Sequence, residues 1–146
     1  VIQRVSRASV HVDERSIAAI GRGFLVLLGV AVDDEERDAR YIAEKIANLR
    51  VFRDDAGLMN RSLLEVEGAV LLVSQFTLHG DVRKGRRPSF ISAAREDVAK
   101  ALYERTGAEL AALGISVAYG EFGADMDVAL INQGPVTILV DSKKTF

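Results

Sequence analysis

Apolar and polar positions alternate with a period of two along the first twenty residues. Val1 to Val5 and Ala8 to Val12 read as short strands, Asp13-Glu14-Arg15 as a turn, and Ile17 to Ile20 as a third strand. Gly21-Arg22-Gly23 interrupts the pattern. The run from Phe24 to Val30 is then apolar at nearly every position, which predicts a central strand covered on both faces. From Asp33 to Val51 the period lengthens, and Ala39, Ile42, Ala43, Ile46 and Leu49 fall on one helical face. Asp33 with Glu36 predicts a capping-box start, with acidic residues suited to the positive end of the helix dipole.

Arg53 to Gly57 reads as a loop and Gly68 to Phe76 as a second buried strand. A polar connection over residues 79 to 89 leads to a helical stretch from Ser89 to Leu113. Ile91, Ala94, Val98 and Leu102 share one face there, Gly107 is the expected break or bend, and Gly114 the stop. Short strands follow at Ile115 to Tyr119, Met126 to Ile131 and Val136 to Val140. There is no internal repeat, low-complexity tract or linker. The expectation is an α+β fold with two main helices, a single compact domain over residues 1–146.

Composition narrows the class. At 146 residues, 49% hydrophobic and 27% charged, the chain can bury a real core and is not of the disordered kind. The longest near-continuous apolar run, Phe24 to Val32, falls far short of the roughly 20 residues that cross a bilayer. No signal or transit peptide pattern is visible, so no membrane partner is expected. Cysteine is absent, which excludes disulfides and thiol catalysis and fits a cytoplasmic protein. A net charge of −2 argues against a protein that coats nucleic acid and leaves room for a local basic site.

Few segments carry candidate chemistry. Gly21-Arg22-Gly23 is no dinucleotide fingerprint, because Val26 stands in place of the third glycine and the stretch precedes a strand. His11 and His79 are the only histidines, so zinc spacing is unavailable. No metal and no cofactor are expected. Ser74-Gln75-Phe76-Thr77 ends a buried strand where it meets a polar loop. Its backbone N–H groups can stabilise an oxyanion, or its polar side chains simply cap their own backbone. Thr77 and His79 form a minimal nucleophile–base pair with Asp81 as the one nearby carboxylate. The only dense basic cluster, Arg83 to Arg87, is either a solvated loop or a phosphate-binding one. Gly134-Pro135 is either a turn that starts the following strand or a cis step that aligns two carbonyls toward a small cation.

Taken together these segments resemble the D-aminoacyl-tRNA deacylases, also called D-tyrosyl-tRNA deacylases. The matching stretches run almost end to end: Ile2-Gln3-Arg4-Val5 with Ala8-Ser9-Val10, Leu72 to Leu78, Lys84-Gly85, Arg87-Pro88-Ser89-Phe90, Phe122 to Met126, and Asn132 to Thr137. The resemblance implies mixed or antiparallel barrel-like sheets and a homodimer with each active site at the subunit interface. It implies a partner, the acceptor end of aminoacyl-tRNA, and hydrolysis of D-aminoacyl esters, with glycyl-tRNA as a secondary substrate. Ser74, Gln75, Phe76 and Thr77 would line the ester, with backbone N–H groups near Phe76 and Thr77 facing the oxyanion. Gly134 and Pro135, cis and held by Arg4, would meet the α-ammonium and exclude L side chains. Phe122, Gly123, Ala124 and Met126 would line the pocket for the terminal adenosine. Lys84, Arg86 and Arg87 are assigned to tRNA phosphates on charge alone. Gln133 departs from the family, where many members carry an acidic residue. A generic esterase using Thr77 with His79, and a non-catalytic RNA-binding module, are the competing readings.

Overall fold

One long strand, β1 (Ile2–Val12), organises the sheet in the computed structural model, which describes residues 1–146. The two short strands expected at 1–5 and 8–12 are fused because β8 (Asp127–Ile138) pairs antiparallel along nearly all of β1. On its other side β1 pairs first with β3 (Gly23–Leu28) and then with β2 (Arg15–Ile20), both antiparallel. Parallel pairing carries the sheet from β3 to β6 (Ala69–Ser74) and on to β7 (Ser116–Tyr119). The six-stranded mixed sheet curls until β2 approaches β6 and β7, nearly closing a barrel. Helices α1 (Glu36–Asn48) and α2 (Glu96–Ala112) pack on each other outside it. A small hairpin of β4 (Phe52–Arg53) and β5 (Met59–Arg61) stands apart.

The period of two explains how β3 and β6 are covered on both faces. Phe24, Val26, Val70 and Leu72 join the cluster shared with Ala43, Ile46 and Leu110 of the helices. Leu25, Leu71 and Val73 point the other way and meet Val5, Ala8 and Val10 inside the barrel. The end of β6 is therefore clamped from both sides just before Ser74. That rigidity matters for the site.

Both helices begin later than their sequence signals suggest. The capping box of α1 is formed by Glu35 and Asp38, with the Asp38 carboxylate accepting the Glu35 N–H at 2.8 Å, two residues beyond Asp33 and Glu36. Asp34 is held in a turn ahead of the helix, its N–H on the Ala31 carbonyl at 3.2 Å and its carboxylate accepting the Ala31 N–H at 2.8 Å. The same competition delays α2: Ser89 exchanges two backbone bonds with Asp81, and Ala94 bonds to Val30. Ile91 consequently lies 86% exposed, and the buried face of α2 is Leu102, Tyr103, Thr106, Gly107 and Leu110. Gly107 does not break the helix. It gives room to Tyr119, whose hydroxyl oxygen would lie 2.3 Å from a β carbon at that position. No helix is long and apolar enough to cross a membrane.

Candidate active site

Gly134-Pro135 does not open a new strand. It lies within β8, in a bulge where Gln133 to Val136 stand opposite the single residue Arg4: Gln3 pairs with Thr137 and Val5 with Asn132. The Gly134-Pro135 peptide is cis, and Gly134 has φ of +141°. Gln133, Gly134 and Pro135 are all exposed. Asn132 closes the bulge at its base. Its Oδ1 accepts the Val136 N–H at 2.7 Å, and its Nδ2 donates to the Val136 carbonyl at 3.2 Å and the Thr137 hydroxyl at 3.0 Å. Arg4 closes it from the β1 side, Nε donating to the Gln133 carbonyl at 2.9 Å and Nη1 to the Val51 carbonyl. Arg4 is only 5% exposed and has no carboxylate partner, so burial and then the Arg53 charge push its guanidinium below its ordinary value.

A separate pocket of about 480 Å³ brings together two segments far apart in the chain. One wall is Ser74 to Thr77, where β6 runs into a 3-10 turn, Phe76–His79; the other is Phe122 to Met126 in the β7–β8 connection. Val73, Ala94, Glu96, Ala99 and Val128 complete it. The opening N–H groups of a helical turn have no partner within the turn, and those of Phe76 and Thr77 find no acceptor elsewhere in the chain. Two backbone donors thus stand free beside the pocket, behind a strand end fixed by the Gln75 N–H bond to Leu28 at 2.8 Å.

Side chains here are committed differently. The Gln75 amide donates to the Thr77 hydroxyl. His79 lines another cavity, of about 510 Å³, and its Nε2 is buried without a hydrogen-bond partner, near Gly29. The Thr77–His79 pair of the competing esterase reading is therefore not assembled. Asp81 binds Arg83 instead of orienting His79; that side-chain bond, 2.6 Å at its shortest, holds the Asp81 carboxyl down at about 2.

The backbone pairing of Asp81 with Ser89 closes residues 82 to 88 into a surface loop. Lys84, Arg86 and Arg87 project from it, exposed and without ion pairs, while Arg83 is neutralised by Asp81. At the loop's foot Phe90 packs edge-on against Phe76, ring centroids 5.0 Å apart. The basic loop is thereby coupled to the pocket wall.

The structure thus sorts the candidate residues into three groups. Ser74, Gln75, Phe76, Thr77, Phe122, Gly123, Ala124 and Met126 share the pocket. Arg4, Gly134 and Pro135 belong to the bulge and do not line the pocket of their own chain. Lys84, Arg86 and Arg87 form the loop.

A family model described as D-Tyr-tRNA(Tyr) deacylase matches residues 1–141. The chain belongs to the D-aminoacyl-tRNA deacylase family. Proteins named D-aminoacyl-tRNA deacylase from Roseiflexus castenholzii and Koribacter versatilis are similar at 61% and 60% identity. The match covers 97% of this chain and 90% of the first, and 100% and 98% for the second. Among solved structures, a c-Myc DNA unwinding element binding protein superposes with a TM-score of 0.88 at 40% identity, covering 94% of this chain and 93% of that one. A probable eukaryotic D-amino acid tRNA deacylase shares the fold, with a TM-score of 0.78 at 22% identity over 92% and 93%. This deacylase chain is thus a hydrolase by family.

Sequence reasoning assigned no role to Asn132, Tyr103 or Glu96. An Asx residue ahead of a Gly-Pro step is a recognisable signal for a side chain that brackets a turn. Tyr103 and Glu96 leave no such local mark; only the tertiary fold brings them to the site.

Proposed function

We propose that this chain hydrolyses the ester of D-aminoacyl-tRNA, with the Gly134-Pro135 backbone of a second copy completing each pocket. The observation that carries the reading is the pair of unclaimed N–H groups at Phe76 and Thr77, residues that share one pocket with Phe122 to Met126. The terminal adenosine stacks on the Phe122 side, and the ester carbonyl meets the two donors. Water adds to that carbonyl carbon, and its proton is relayed by the neighbouring ribose hydroxyl of the substrate to the ester's ribose oxygen as that oxygen leaves. The tetrahedral oxyanion is held by the two N–H groups, and the ester C–O bond then breaks to release the free amino acid and tRNA.

Chirality is read by exclusion. The Gly134 and Pro135 carbonyls accept the α-ammonium, and an L side chain would project into their backbone while a D side chain points away. Glycine has no side chain and passes, so glycyl-tRNA is cleaved as well. An exposed bulge fastened by Arg4 and Asn132 supports this use, since a selective wall has to be stiff. The bulge does not line its own chain's pocket, which supports a homodimer in which each copy serves the other. Lys84, Arg86 and Arg87 supply phosphate contacts for the acceptor stem. The family and the cysteine-free composition support a cytoplasmic setting.

Matched D- and L-aminoacyl-tRNA, each incubated with the protein, test the reading through the rate of ester loss. Selective loss of the D ester is expected. Equal rates on both, or none on either, would overturn it.

A further inference from the structure

One residue behind the pocket joins its two walls without lining it. Tyr103 is 4% exposed, and its hydroxyl donates to the Leu72 carbonyl at 2.8 Å. The same carbonyl accepts the Gly120 N–H at 2.9 Å. Leu72 lies two residues before Ser74, and Gly120 two residues before Phe122. Both walls therefore leave from a single oxygen atom. The Tyr103 ring also packs on the far wall directly, its centroid 5.6 Å from that of Phe122 and 6.0 Å from that of Tyr119.

We infer that Tyr103 is a positioning residue that sets the separation between the oxyanion donors at Phe76 and Thr77 and the nucleoside wall at Phe122. The inference rests on the deacylase reading of the pocket. The β6–β7 ladder ends at the pair Leu72 and Tyr119, and the Gly120 N–H bond to Leu72 is the last main-chain tie before the two segments diverge. The hydroxyl of Tyr103 braces that last tie with a second bond to the same oxygen, while its ring holds Phe122 from α2. A substrate anchored by its adenosine on one wall must present its carbonyl to donors on the other. An error in their spacing costs rate far more than it costs binding.

Tyr103→Phe keeps the ring contacts and removes only the bond to Leu72; Tyr103→Leu removes both. kcat and KM are measured on D-aminoacyl-tRNA, with binding of adenosine 5′-monophosphate and thermal unfolding measured in parallel. Tyr103→Phe should lower kcat roughly tenfold, part of the ~100-fold that loss of an oxyanion donor costs, and leave nucleotide affinity within about twofold. Tyr103→Leu should weaken nucleotide binding as well, because Phe122 loses its support. Unchanged kcat in Tyr103→Phe, or a loss no greater than the drop in folded fraction, overturns the inference. Wild-type protein that leaves the D ester intact removes the deacylase reading and this inference with it. An active wild type with an equally active Tyr103→Phe removes the inference alone.

Discussion

Arg4 donates from Nε to the main-chain carbonyl of Gln133 at 2.9 Å, so a buried cation on β1 holds the residue that precedes Gly134 and Pro135. Its other hydrogen bond goes to Val51, ahead of the β4–β5 hairpin. One guanidinium thus fixes an exposed bulge against two separate parts of the fold, and it does so through carbonyl oxygens alone. Arg4→Met should destabilise the protein by about 2–3 kcal/mol, the scale of losing hydrogen bonds from a charged donor. Arg4→Lys should recover only part of this, since an ammonium lacks the planar fork. Urea unfolding measures both; two variants as stable as wild type would show that the bulge holds itself.

Gly134 tolerates no side chain. A β carbon there would stand 2.9 Å from both Arg4 Nη2 and Val136 Cγ2, at a φ of +141° that L residues rarely adopt. Gly134→Ala should lose most D-specific deacylation while the remainder of the sheet stays folded, as read by circular dichroism beside the ester assay. Full activity in that variant would contradict the role given to this backbone.

Asn132 should matter through geometry as well as polarity. Asn132→Asp keeps the acceptor for the Val136 N–H and loses the Nδ2 bonds, whereas Asn132→Ala loses all of them and leaves that donor without its partner. Alanine should therefore be the more damaging change, by about 1 kcal/mol in stability and with a larger loss of D-over-L selectivity. Equal selectivity in both variants would remove Asn132 from the account.

Thr77 and His79 separate the two hydrolytic readings. If backbone N–H groups do the work, Thr77→Ala should keep deacylation within about tenfold of wild type, since no oxyanion donor is lost. His79→Leu should be active and no less stable, because its buried Nε2 has no partner to lose. Single-turnover rates decide this. Abolition of chemistry by Thr77→Ala would favour a covalent route.

Replacing Lys84, Arg86 and Arg87 together by Gln should raise KM for aminoacyl-tRNA with kcat little changed. It should also flatten the dependence of affinity on salt by up to about three counterions' worth of slope. An unaltered salt slope would return the loop to plain solvent.

The architecture was legible in the sequence wherever a pattern of burial determined it. The both-face apolar runs of β3 and β6 and the stripe of α1 were each visible because burial on the sheet or helix writes directly into the period. The starts of α1 and α2 were not, since residues ahead of them spend backbone bonds outside the helix, Asp34 on Ala31 and Ala94 on Val30. Gly134-Pro135 looked like a turn between two strands because proline and glycine punctuate locally; the long pairing partner β1 carries β8 straight past it as a bulge. The pocket residues came from the family motif, whereas the missing Thr77–His79 pair was decided by a 3-10 turn that sends His79 into another cavity.

The most direct test of the central claim follows ester loss from one tRNA charged with a D-amino acid or with its L enantiomer, using the wild-type protein under identical conditions. The account predicts rapid release of the D-amino acid and an L ester that decays no faster than it does without protein. Comparable release of both enantiomers, or of neither, would contradict it.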